Sequence, residues 1–122
     1  MSLGQPDISH IDSRFLSMAQ APKDDWVTVD GMSFHYRDWG GNGPPIMLFH
    51  GLASTCHIWD MVAPILAQDH AVIAVDQRGH GQTDKPDEGY DIESVTKDAL
   101  GVISGLGVEN PVVIGHSWGG SV

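Results

Sequence analysis

Apolar and polar positions change period several times along this chain. Residues 26–29 (WVTV) and 32–39 (MSFHYRDW) are short mixed runs separated by Asp30-Gly31. Glycine accepts positive φ without strain, so the two runs are predicted to form an antiparallel hairpin. Beyond the loop GGNGPP, residues 46–49 (IMLF) are apolar throughout, and so are 71–75 (AVIAV) and 111–114 (PVVI). Continuous runs of this kind suit strands covered on both faces of a sheet.

Between these strands the spacing turns helical. Trp59, Val62, Ile65 and Leu66 fall on one helical stripe, but Pro64 lacks the N–H that a helix interior needs, so the regular helix is expected to start near Met61. Asp91 is placed as an N-cap, followed at helical spacing by Ile92, Val95, Ala99, Val102, Ile103 and Leu106, with Gly107 as the C-terminal stop. A last helix is predicted from about Trp118. The order hairpin, strand, helix, strand, helix, strand, helix predicts an α/β fold with parallel pairing and right-handed crossovers. Residues 1–23 show neither period and are read as an arm; 24–122 form the domain.

Composition narrows the class. With 122 residues and 41% hydrophobic content the chain fills one core. Its apolar runs fall far short of the roughly 18 residues of a membrane helix. Six Lys plus Arg against sixteen Asp plus Glu, a formal charge of −10, repel phosphate backbones and anionic lipid, so neither nucleic acid nor membrane is an expected partner. The acidic residues are dispersed and are read as solubilising. The single cysteine, Cys56, closes no internal disulfide, and the first residues carry no basic leader or apolar stretch; a cytoplasmic location is expected.

Three segments carry chemistry. Gly115-His116-Ser117-Trp118-Gly119 matches G-x-S-x-G directly after an apolar strand and before a helix, where a sharp turn lifts a serine hydroxyl above the sheet edge. Gly115 and Gly119 would leave room for the chain to double back, and the amide of Trp118, opening a helix, would face developing negative charge. The plain alternative is a glycine-rich turn with Ser117 as an N-cap. A phosphate loop is rejected because residues 115–121 lack the lysine before the serine, and GHGQTD fails as a dinucleotide fingerprint because Asp84 stands where the third glycine belongs.

FHGLAS leaves the strand at 46–49, and an amide of this loop, Leu52 by position, is the expected second oxyanion donor. His50 is read as a loop-bracing hydrogen bonder. DQRGHGQTDKP, residues 76–86, is read as structural, with Arg78 tying down a turn at Gly79 and Gly81 and with Asp76 and His80 bound into the loop. No spacing such as H-E-x-x-H marks a metal site, and no cofactor is expected.

Together the ordered motifs HG, DQRGHGQTDKP and GHSWGG resemble the α/β-hydrolase fold family over residues 26–122, its amino-terminal half. The resemblance implies a mostly parallel sheet with an antiparallel N-terminal hairpin and helices on both faces. It also implies Ser117 as nucleophile, Leu52 and Trp118 as oxyanion donors, and a small acyl, ester-like substrate. In the family the acid and histidine follow the nucleophile, so they are expected beyond this chain, which alone would be inactive and would need the later segment to complete its sheet. Serine in place of aspartate argues against the dehalogenase and epoxide-hydrolase branches, which use a carboxylate nucleophile. The other reading is a non-catalytic member that binds a ligand or partner and keeps the turn for architecture.

Overall fold

The hairpin forms where the pattern and Asp30-Gly31 place it. In a computed structural model, which describes residues 21–121, β1 (Lys23–Val29) pairs antiparallel with β2 (Met32–Gly40), Val29 opposite Met32. Asp30 (φ 49) and Gly31 (φ 80) are both left-handed, as a two-residue type I′ turn requires. β1 begins at Lys23, ahead of the first apolar residue of its run, because the polar residues Lys23, Asp24 and Asp25 also pair, with Asp38, Arg37 and Tyr36. An edge strand tolerates that polarity. Most of the arm expected over 1–23 lies outside the described residues.

β3 (Pro45–Phe49) runs parallel to β4 (Ala71–Val75) on one side and to β5 (Val112–Gly115) on the other, and β2 pairs antiparallel with β4. The sheet order is β1-β2-β4-β3-β5. Because side chains alternate across a strand, the apolar runs of β3 and β4 each feed two cores. Ile46, Leu48, Val72 and Ala74 pack with Trp39, Cys56 and Ala63 on one face, and Met47, Phe49 and Val75 pack with Phe34, Ala99 and Val102 on the other.

Helical segments cover both faces. A 3-10 turn at Cys56–Trp59 leads into α1 (Ala63–Leu66), which has Pro64 in its first turn and is one turn long. The inward residues are Cys56, Trp59, Ala63 and Leu66, while Val62 and Ile65, assigned to the buried stripe by spacing, are exposed. The proline confines regular helix to its own turn and the residues after it, and β4 begins at Ala71, so a longer amphipathic stripe has no room to develop.

α2 (Ile92–Gly105) follows its prediction closely: Asp91 accepts a hydrogen bond from the Ser94 amide, and Val95, Ala99 and Val102 are buried. Its end is a Schellman motif, with Gly107 at φ 68, its amide bonded to Ser104 and the Val108 amide to Ile103. α3 (Trp118–Ser121) starts at the predicted residue. The outer edge of β5 has no partner strand among the described residues, and Val112 and Val113 there are 53% and 51% exposed. No helix of the described residues is long and apolar enough to cross a membrane.

Candidate active site

Parallel register brings the three motif loops together. Phe49 is level with Val75 on one side and with Gly115 on the other, so the chain leaves β3, β4 and β5 at one edge of the sheet, where ligands bind in open parallel sheets.

The turn after β5 is sharp, and its sharpness is steric. Ser117 is exposed and sits at φ 56, a left-handed conformation that costs an L-residue about 1–2 kcal/mol. The His116 amide bonds to the Phe49 carbonyl, and the amides of Gly119 and Gly120 close onto His116 and Ser117. A Cβ on Gly115 would lie 2.2 Å from the Gly119 carbonyl oxygen, and one on Gly119 would lie 2.4 Å from that of Phe49. Neither position has room for a side chain, as the spacing of the motif anticipates.

The loop after β3 backs directly onto this turn. A Cβ on Gly51 would be 3.2 Å from the His116 carbonyl oxygen and 3.3 Å from Ser117 Cβ, which puts Gly51 against the serine. Residues 51–54 then form a turn closed by the Ser54 amide on the Gly51 carbonyl, with Ala53 at φ 60. Leu52, 68% exposed, occupies the turn's second position. Neither the Leu52 amide nor the Trp118 amide donates to another described residue.

Histidines and a carboxylate brace these loops from below. His50, fully buried, donates from Nδ1 to the Gly51 carbonyl (2.7 Å) and accepts the Gln77 amide at Nε2 (2.8 Å). Burial pushes its pKa below the ordinary imidazole value, so the ring stays neutral and fully committed, the bracing role its position suggested. His80 donates from Nδ1 to the Arg78 carbonyl and accepts the Ala53 amide at Nε2 (3.0 Å).

Asp76 accepts from the amides of Cys56 (2.7 Å) and Gln82 (3.0 Å) and from His35 Nδ1 (2.7 Å). Burial alone would raise its pKa, but those amides and the imidazole outweigh it and hold the carboxyl below the usual range. Asp76 and His80 are therefore loop-bound, as read from the sequence.

The side chain of Arg78 bonds away from the turn at Gly79 and Gly81 that it was expected to tie down. It forms a bidentate pair with Asp98 of α2, both contacts 2.8 Å, and reaches the Glu88 carbonyl. Sequence reasoning missed Asp98, although a carboxylate between Val95 and Val102 on the buried stripe signals a buried cation. It also missed His35, whose two ring nitrogens face Asp76 and Asp24. One atom each of His35, Cys56 and Asp76 lie within 4.8 Å of one another, a spacing compatible with a metal. Their hydrogen bonds account for the closeness: His35 Nδ1 and both Asp76 oxygens are engaged, and burial raises the Cys56 pKa and keeps its thiol protonated.

Comparison with known proteins agrees with this geometry. A family model described as the alpha/beta hydrolase fold matches residues 44–122. The chain is 40% identical over 94 residues to a soluble epoxide hydrolase of Corynebacterium sp. (strain C12), covering 77% of this chain and 32% of that protein. It is 40% identical over 92 residues to a non-heme haloperoxidase of Rhodococcus erythropolis, covering 75% and 33%. Among solved structures, epoxide hydrolase A from Mycobacterium thermoresistibile superposes with a TM-score of 0.75 at 32% identity, covering 81% of this chain and 32% of that one. The chain thus spans about a third of the length of these proteins.

Proposed function

Because the chain belongs to the α/β-hydrolase fold family, we propose that it carries the nucleophile and oxyanion half of a serine hydrolase acting on a small acyl substrate. Ser117 Oγ attacks the acyl carbon while its proton passes to a histidine supplied, with its orienting carboxylate, by residues outside this sequence. The amides of Leu52 and Trp118 stabilise the tetrahedral oxyanion. Collapse expels the leaving group, which takes up the histidine's proton, and water then releases the acid from Ser117 by the same steps in reverse.

The observation that carries this reading is Ser117 itself, exposed and strained at φ 56 with Gly51 packed against it. Backbone strain persists only where its surroundings over-determine it, and it clusters at catalytic positions. The chemistry of the side chain then selects within the family. The epoxide-hydrolase branch places a carboxylate at this point, whereas a hydroxyl suits acyl transfer or the perhydrolysis of haloperoxidase-like members.

A fluorophosphonate probe tests the assignment in the full-length protein. Wild type is expected to be labelled and Ser117→Ala to be silent, with turnover of p-nitrophenyl acetate falling by about 10³-fold or more. Labelling that survives in Ser117→Ala removes the serine from its role. A wild-type protein that is folded but inert to the probe favours the non-catalytic, ligand-binding reading.

A further inference from the structure

His80 lies where the three motif loops meet. Its ring is 4.9 Å from that of His50, in the loop after β3, and 5.7 Å from that of Trp118, which follows Ser117, while its own chain belongs to the loop after β4. Both nitrogens have fixed partners of opposite kind. Nδ1 faces the Arg78 carbonyl at 2.8 Å and must donate; Nε2 faces the Ala53 amide at 3.0 Å and must accept. Those partners select one neutral tautomer.

The Ala53 amide is a telling target. Left-handed φ at the third residue of a four-residue turn, with Leu52 not left-handed, describes a type II turn, which ordinarily puts glycine there. Alanine at φ 60 is under strain, and rotating the Leu52–Ala53 peptide to the type I arrangement would relieve it. That rotation would also carry the Ala53 N–H away from His80 Nε2. The imidazole acceptor therefore opposes the flip, and the turn it holds starts at Gly51, which packs against Ser117.

We propose that His80 is a positioning residue: by accepting the Ala53 amide it locks the strained turn that starts at Gly51 against Ser117, and so steadies the loop that carries the Leu52 oxyanion donor. The inference rests on the reading of Ser117 as nucleophile and adds to it a residue that touches no substrate. Its contribution falls on the covalent step, since an oxyanion donor acts on charge that develops in the transition state, and not on substrate affinity.

The test is the rate of fluorophosphonate labelling of the full-length protein, resolved into probe affinity and the maximal covalent rate. His80→Phe keeps an aromatic ring but has no acceptor; the maximal rate is expected to fall roughly tenfold with probe affinity unchanged. His80→Gln, whose longer amide reaches Ala53, is expected to recover to within about threefold of wild type. His80→Asn, whose shorter amide reaches only the Arg78 carbonyl, is expected to match His80→Phe and replaces it if the phenylalanine variant fails to fold. Wild-type covalent rates in His80→Phe and His80→Asn, a change in affinity in place of rate, or a glutamine variant as slow as the others would overturn the proposal. Wild type that does not label at all overturns the nucleophile assignment instead, so the two failures are distinguishable.

Discussion

Four residues other than glycine hold left-handed backbone among the described positions, and they divide into two kinds. Asp30 (φ 49) and Asn110 (φ 50) sit in connections, the hairpin turn and the entry to β5, and both have short polar side chains that tolerate this conformation. Ala53 (φ 60) and Ser117 (φ 56) have no such tolerance, and both stand on loops that leave parallel strands at one edge. In the first pair the local sequence chooses the conformation. In the second the surroundings impose it, through the packed glycines of the turn, the His80 acceptor and the buried bonds beneath.

The glycines give the strongest way to break this contrast. Gly119→Ala drives a Cβ to within 2.4 Å of the Phe49 carbonyl oxygen, which belongs to a central strand and cannot yield, so a loss of more than about 3 kcal/mol is expected. Gly31→Ala in the hairpin meets no atom within 4 Å and suffers only from φ 80, a loss of about 1–2 kcal/mol. Urea unfolding of the two variants checks the difference; equal losses would mean that the turn around Ser117 is no more constrained than a surface hairpin.

Asp76 gives the next effect. Asp76→Asn leaves at least one of the donors from Cys56, Gln82 and His35 without an acceptor, at about 1–3 kcal/mol. The pH dependence has a definite sign. The folded carboxyl titrates below the unfolded one, so its contribution is complete above the unfolded value of about 4 and is lost as pH falls through the folded value. Unfolding midpoints at pH 7 and pH 3 should therefore converge more for Asp76→Asn than for wild type. A variant with an unaltered acid slope would remove Asp76 from the support of these loops.

The smallest effect separates the two left-handed classes directly. Ala53→Gly relieves strain and is expected to stabilise by up to about 1 kcal/mol, even though glycine also frees the unfolded chain. Asn110→Gly, where the native residue already tolerates its backbone, should change stability by less than about 0.5 kcal/mol. Thermal unfolding of the two variants measures both, and a destabilised Ala53→Gly would show that the turn is not strained.

Much of this was legible from residue order. Runs of apolar residues announce β3 and β4 because a strand covered on both faces needs no polar positions, the same kind of run announces β5 although Val112 and Val113 there are half exposed, and Asp91 and Gly107 mark the limits of α2 because a helix leaves its terminal amides and carbonyls unpaired. The motif around Ser117 is equally local, since a kink without room for Cβ requires glycine at stated offsets. The short α1 misled, because spacing reports which residues share a stripe but not whether the next strand leaves length for a helix.

Partners distant along the chain were decided only by folding. The sheet order, which inserts β3 between β4 and β5, follows from how the faces bury and is invisible to any periodicity. The same holds for Arg78 on Asp98, His35 between Asp24 and Asp76, and His80 on Ala53, 27 residues apart in sequence. A buried polar group must find a partner, but its own neighbours do not specify which; only the packed arrangement of strands brings the donor to its acceptor.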